Sequence, residues 1–510
     1  MNKVINIGIP HVGELIFESF DTPGLINCME VSETWRELAG NVLIKRSKGI
    51  LYMQIFEACR SGKTKFAQRL MWSLDNDVLF QCALASETWK NLAENVLIKR
   101  WKGKMIKACK SGETKVVQLL LESCSAEESG LNIKDEFGWT PLMLACHKGH
   151  NDVVQLLLDH SERLELNATT KSGETALLWF CKRGYTDVVK LFLDHSERIE
   201  LNAPDNDTLM TALMWACHNG CKDVVQLLLE HSDQSIDLNA KNYNGNTALM
   251  IACIRGHNGI VQLLLDHSER IEMNAQDNDG WTPFMSACEK GHKDVVKLLL
   301  NHSERNELNA RDNYGWTPFM LACEKRNKDV VKLLLDHSGR FELNATTNKH
   351  GETAFTLVCK RGYTEVVKLL LDHSDRIELN APDNYGFTAL MRACCNGHKH
   401  VVKLLLDHSQ RIDLNAPDNN TLMTALMWAC HNGCKDVVQL LLEHSDQSID
   451  LNARNNNGNT AMMIANQRGH QDIAQMIKPK LPFIQSQNKI EFTTNKTKTK
   501  IVYRVACLKK

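Results

Sequence analysis

A threonine that opens a T-A/P-L/F-M-like phrase returns ten times along this chain, at Thr140, Thr175, Thr211, Thr247, Thr282, Thr317, Thr353, Thr388, Thr424 and Thr460, each 35 or 36 residues after the last. A period of that length leaves few architectures open. One such unit is too small to bury its own apolar face, so stability has to come from stacking neighbours into a solenoid. At 510 residues the chain is also too long for one ordinary core.

The unit WTPLMLACHKGHNDVVQLLLDHSERLELNA (139–168) contains the physics. Thr140 is placed to cap a helix with Pro141 at its first position, where a missing N–H costs nothing. Leu142, Ala145 and Cys146 follow at helical spacing, and Gly149 supplies a left-handed terminator. A second helix, from about Asp152 through Val153, Val154, Leu156, Leu157 and Leu158, is apolar enough to be buried against both neighbours. Between units, stretches such as RDNYGWT (311–317) carry the Asn and Gly of a tight turn.

Eighteen cysteines raise the question of a disulfide scaffold, but eleven recur in one repeat context: Cys59, Cys109, Cys146, Cys181, Cys217, Cys253, Cys288, Cys323, Cys359, Cys394 and Cys430. A thiol at the same point of every unit behaves as a small buried apolar side chain, which implies a reducing compartment. The formal net charge of -1 provides no general pull toward nucleic acid or anionic lipid. The N-terminus lacks a signal-length apolar run, and nothing downstream approaches a spanning helix. These features predict a cytoplasmic protein with neither nucleic-acid nor membrane partners, and the basic tail adds the nucleus as a second location.

The repeat resembles the ankyrin repeat, with its turn, T-P-L-H-x-A helix, G-H and V-V-x-L-L-L helix. The likeness covers about 103–478, beginning with KMIKACKSGETKVVQLLLE. Two differences are visible. Met replaces the usual helix histidine at Met143, Met214, Met250, Met285 and Met320, and DHSERIELNA is longer than the family's segment, which predicts an extended outer end for the second helix. Residues 208–240 and 421–453 are identical, 213 residues or six units apart, as if an array had been lengthened by block duplication. The residue before the opening threonine varies (Trp139, Glu174, Met210, Asn246, Trp281, Trp316, Glu352, Phe387, Met423, Asn459), while the core columns hardly change. The resemblance implies protein binding along turn tips and first helices. Aromatic anchors suit that role because they supply contact area at little entropic cost. Phe137, Trp139, Trp281, Tyr314, Trp316, Tyr385 and Phe387 are therefore candidate client-binding residues; the alternative is that each ring packs on a neighbouring turn.

Near the start, VSETWRELAGNVLIKR (31–46) returns as ASETWKNLAENVLIKR (85–100). In the first copy Leu25, Cys28, Val31, Trp35, Leu38 and Val42 form one apolar helix face, behind Pro10 and the cluster Leu15, Ile16, Phe17 and Phe20. About 40 residues make too small a core to stand alone. The pattern resembles the F-box, L-P-x-E-I-L-x-x-I-F-x-x-L-D followed by D-L-L and V-C/S-x-x-W. Pro10, Ile16-Phe17, Phe20-Asp21, Leu25 and Val31-Ser32 with Trp35 match it. One residue is missing between Pro10 and Ile16, and Gly24 replaces an acidic residue. The resemblance implies docking on a Skp-type adaptor, and through it a cullin scaffold, by Pro10, Leu15, Ile16, Leu25, Val31 and Trp35. The second copy has Thr64 for Pro10 and Ala85 for Val31, and IFEACRSGKTKFAQRL (55–70) follows the first phrase as MIKACKSGETKVVQLL (105–120) follows the second. A whole block was duplicated, and copy two is expected to serve as linker and cap.

Other signals point to no chemistry. SGKT (61–64) has Glu57 where a phosphate loop needs glycine. CHNGC, at Cys217–Cys221 and Cys430–Cys434, divides between helix and turn, away from a four-ligand zinc geometry. The histidines His160, His195, His231, His267, His302, His337, His373, His408 and His444 sit on stacked helices roughly 8–10 Å apart, too far for one metal. The predicted fold is thus all-α: an F-box-like region at 9–46, a duplicated degenerate segment at 47–102, an ankyrin-repeat solenoid at 103–478 and a basic tail at 479–510. No enzymatic activity, metal, cofactor or small-molecule substrate is expected. The leading expectation is a substrate receptor of an SCF-type ubiquitin ligase, and the rival is a scaffold that clusters proteins without ubiquitin.

Overall fold

A computed structural model describes residues 103–123 and 131–478, except 195, 232–235, 303, 305, 306 and 445–448, together with isolated positions 54, 55, 58, 61, 67 and 70. The regular structure among these residues is helical, with two isolated antiparallel bridges, Thr169 to Thr175 and Thr346 to Thr353. The chain divides into two compact units, at Asp312/Asn313.

In the first unit, helices Pro141–Lys148, Ala176–Arg183, Ala212–Asn219, Ala248–Arg255 and Pro283–Lys290 pack each on the next. Their partners Asn151–Leu158, Thr186–Leu193, Lys222–His231, Asn258–Asp266 and Lys293–Asn301 form a second row, which Thr114–Ser123 joins at its start. The second unit repeats the plan. Its first helices are Pro318–Glu324, Ala354–Arg361, Ala389–Cys395, Ala425–His431 and Ala461–Gln467, and its second row runs from Lys328–Asp336 to Gln471–Ile477.

The local causes match the sequence expectations. The Thr140 hydroxyl accepts the Met143 N–H at 3.3 Å, Pro141 opens the helix, and Gly149 ends it at φ 72°. The replacing methionines are fully packed, and at Thr247 the Met250 sulfur accepts the threonine N–H, closing a capping box that would ordinarily use a Glu or Gln. Val and Leu of each second helix are buried, as at Val295, Val296, Leu299 and Leu300. Each such side chain contributes roughly 1.5–3 kcal/mol on burial, shared between its own repeat and the neighbouring one.

The extra residues after the second helix do something other than lengthen it. They form a separate 3-10 turn at Ser161–Arg163, Ser196–Arg198, Ser268–Arg270 and Ser338–Arg340. A histidine satisfies the helix end at this junction, whether or not a 3-10 turn follows. His160, His267, His337, His373 and His408 each place Nδ1 3.1 Å or less from the carbonyl four residues earlier, so the ring donates to an otherwise orphaned helix-end acceptor.

Burial of the repeat cysteines pushes their thiols up, Cys109 and Cys430 to about 12 and Cys181, Cys217, Cys253, Cys323 and Cys359 further. Cys221, Cys395 and Cys434 are only half-buried. Because the thiolate is the reacting species, maleimide added to the native protein should label these three while sparing the buried column. Mass spectrometry of the peptides reads this out; labelling of Cys253 as fast as Cys221 would contradict it.

Candidate functional site: the aromatic and cationic first-helix face

Turn tips are held by a side-chain oxygen, a carboxylate or amide in most and the hydroxyl of Thr170 or Thr347 in two. Asp135 Oδ1 accepts the N–H groups of Phe137 and Trp139 at 2.9 and 2.8 Å, and Asp383 does the same for Tyr385 and Phe387 at 2.9 Å. Successive tips are then joined by a backbone bond, Lys171 N–H to Phe137 C=O in the first unit and Asn419 N–H to Tyr385 C=O in the second. This rigid ladder fixes where the aromatic rings stand.

In the first unit the rings of Trp139 and Trp179 lie 4.9 Å apart, and His147 stands 5.0 Å from both. Lys182 Nζ sits over Trp215 at 4.1 Å and over Trp179 at 5.3 Å, while Arg183 covers Trp179 at 5.2 Å. The three tryptophans are half-buried. Carboxylates anchor two of them: Glu174 accepts from the Trp179 indole at 3.1 Å and from Lys182 at 3.0 Å, and Asp205, 3% exposed, accepts from the Trp215 indole at 2.9 Å. The His147 imidazolium is held below its ordinary range by burial and by the charges of Lys148, Arg183 and Lys110.

The second unit contains a related cluster. Phe387 and Trp428 are 5.0 Å apart, and the Arg392 guanidinium lies over Phe387 at 4.2 Å while pairing with the buried carboxylate of Asp383. Asp418 accepts from the Trp428 indole at 3.0 Å, as Asp205 does for Trp215. His218 and His431, each beside its tryptophan, are hydrogen-bonded to Arg255 and Arg468.

The sequence-selected rings therefore divide. Trp139 and Phe387 are members of these clusters. Phe137, Tyr314 and Tyr385 are exposed on turn tips, at 61%, 61% and 42%. Trp281 is half-buried, with its indole donating to Asp312 at 3.1 Å, and Trp316 is also half-buried. The column before the threonine does not contain Trp179, Trp215 and Trp428, which stand four residues after that threonine, nor Tyr243, which is 73% exposed. That fourth column reads Leu144, Trp179, Trp215, Ile251, Ser286, Leu321, Leu357, Arg392, Trp428 and Ile464, as variable as the one that was read. Pro10, Leu15, Ile16, Leu25, Val31 and Trp35 lie outside the described residues.

A family model for ankyrin repeats, three copies per match, fits overlapping windows from 55–170 to 413–488 that together span most of the chain. The chain belongs to the ankyrin-repeat family. A search of curated proteins gave no significant match. Ankyrin repeats imply a protein partner, and ankyrin-repeat proteins are generally non-enzymatic interaction scaffolds. Among the described residues no helix is long and apolar enough to cross a membrane, and no group of three or more His, Cys, Asp or Glu is placed to hold a metal.

Proposed function

We propose that this ankyrin-repeat protein is a client receptor of an SCF-type ubiquitin ligase, gripping a protein on its first-helix face and docking through residues 9–46 on a Skp-type adaptor joined to a cullin scaffold. The grip is supported above all by the half-buried tryptophans Trp139, Trp179 and Trp215, of which Trp179 is held by the half-buried carboxylate of Glu174 and Trp215 by the buried carboxylate of Asp205. Pre-organised rings lose little entropy on binding, which makes them effective anchors. The adaptor link is supported by the F-box-like spacing from Asp21 to Trp35; family matching returned the repeats and no F-box. The scaffold alternative is favoured by the reach of the ankyrin match back to residue 55, inside the duplicated segment, which suits a cap more than a docking module.

One experiment separates them. Purified Skp-type adaptor should be retained by the full chain and lost from Leu25→Glu and Trp35→Glu variants. Retention of nothing by the wild-type chain would leave the scaffold reading alone.

A further inference from the structure

The identical blocks 208–240 and 421–453 put one tryptophan, Trp215 or Trp428, in each unit, in surroundings that are related but not the same. The carboxylates bonded to these rings and cations are turned inward and committed, while Asp207 in the first turn and Glu136 beside Phe137 are exposed. Asp205 accepts from Thr208, Asp207 and Trp215, and Asp418 from Thr421, Asn420, Met423 and Trp428. Glu174 and Asp383 are bound to Lys182 and Arg392. Arg183, Arg255 and Arg468 are exposed, and none pairs with a carboxylate among the described residues. The exposed charges joined through a histidine to Trp215 and Trp428 are thus the cations Arg255 and Arg468, although the whole chain is nearly neutral. A second observation concerns the same loops. Leu209 and Leu422, in the turns whose Asp205 and Asp418 hold the tryptophans, have φ of 55° and 54° and are 42% and 46% exposed. An L-residue in the left-handed region is strained, and here the strain holds an apolar side chain in water in both copies.

We propose that Trp215 with Lys182 and Arg255, and Trp428 with Arg392 and Arg468, are two related docking sites for acidic peptide segments that carry large apolar side chains. The partner's carboxylates meet the exposed Arg255 and Arg468, and its apolar side chains cover the indole faces and the strained leucine. A nucleic acid fits less well: the carboxylates of Glu174, Asp205, Asp383 and Asp418 lie beside the rings and repel its phosphates. This inference rests on the client-binding part of the proposed function and is independent of the adaptor link.

The test uses the full chain and a blocked synthetic peptide in which glutamates alternate with leucine and phenylalanine, measured by calorimetry and tryptophan fluorescence. Two peptides should bind per chain, with affinity falling as salt rises. Trp215→Ala should leave one site and the Trp215→Ala/Trp428→Ala pair none. Arg255→Glu/Arg468→Glu, both at exposed positions, should weaken binding about tenfold or more. Equal binding of the lysine-for-glutamate peptide, preference for a single-stranded oligonucleotide, or unchanged affinity in the arginine double variant would overturn the proposal. Adaptor capture measured on the same variants should be unaffected, so loss of that capture in wild type refutes the ligase reading without touching this one.

Discussion

Asp418→Ala is expected to destabilise its repeat by about 3–4 kcal/mol, far more than an exposed carboxylate would. The side chain is 1% exposed and accepts from the Thr421 hydroxyl at 2.5 Å, the Thr421, Asn420 and Met423 N–H groups at 2.7, 2.9 and 3.1 Å, and the Trp428 indole at 3.0 Å. Hydrogen bonds to a charged group are worth about 1.5–3 kcal/mol each and do not add fully, while the donors left behind carry a desolvation cost. Asn in its place keeps one acceptor and should cost about half. The same carboxyl titrates with folding. Burial pushes it up, but the bonds from Thr421, Trp428 and Asn420 outweigh burial and hold it below the usual carboxylate range; Asp205 behaves alike. A folded value below the unfolded one, about 3.9, favours the ionised form. The stabilisation is complete above that pH and disappears as pH falls through the lower folded value. Acid unfolding of the Asp205→Asn/Asp418→Asn chain should therefore be less steep than that of wild type below about pH 4. Urea unfolding with exchange rates of the Asn420 and Thr421 amides measures the first effect, and rates unchanged from wild type would exclude it.

The repeat plan was legible because each instruction is local and recurs in phase. Thr140 caps, Gly149 terminates, and the Val and Leu columns carry a helical period that no other arrangement satisfies. Other details depended on contacts between units. Lys182 lies over Trp215 thirty-three positions away, and the ring of Trp179 meets Trp139 across a helix boundary. Nothing in one repeat announces either contact. The turn at 205–211 hides its geometry for a different reason. It has one residue more than the turn at 135–140, and Leu209 occupies the left-handed position that Gly138 holds there, so the residue type expected for that conformation is missing. The histidine column was visible, and its purpose was not, because a ring bonding its own helix's last carbonyls looks in sequence like any surface His.

Gly386→Ala should be the most damaging single methyl in the second unit, and Gly458→Ala supplies its control. Both glycines have positive φ, 84° and 76°, so alanine at either is strained by about 1–2 kcal/mol. At Gly458 a Cβ meets nothing within 4 Å. At Gly386 it would stand 2.3 Å from the backbone nitrogen of Asn419 and 2.6 Å from that residue's Cγ. That nitrogen donates to the Tyr385 carbonyl at 3.1 Å, the bond that ties one turn tip to the next. A side chain here cannot be relieved by rotating a flexible neighbour; it has to push two tips apart, which adds about 1–3 kcal/mol of overpacking. Left-handed geometry alone is tolerated nearby, since Leu422 adopts it on the next turn with its side chain in solvent. The close approach of backbones therefore decides the outcome. Hydrogen exchange at the Asn419 amide should accelerate strongly in Gly386→Ala while Gly458→Ala leaves it at the wild-type rate, and unfolding in urea should show a total loss of about 2–5 kcal/mol against 1–2. Equal losses at the two positions would mean that the tips are not in contact through this glycine.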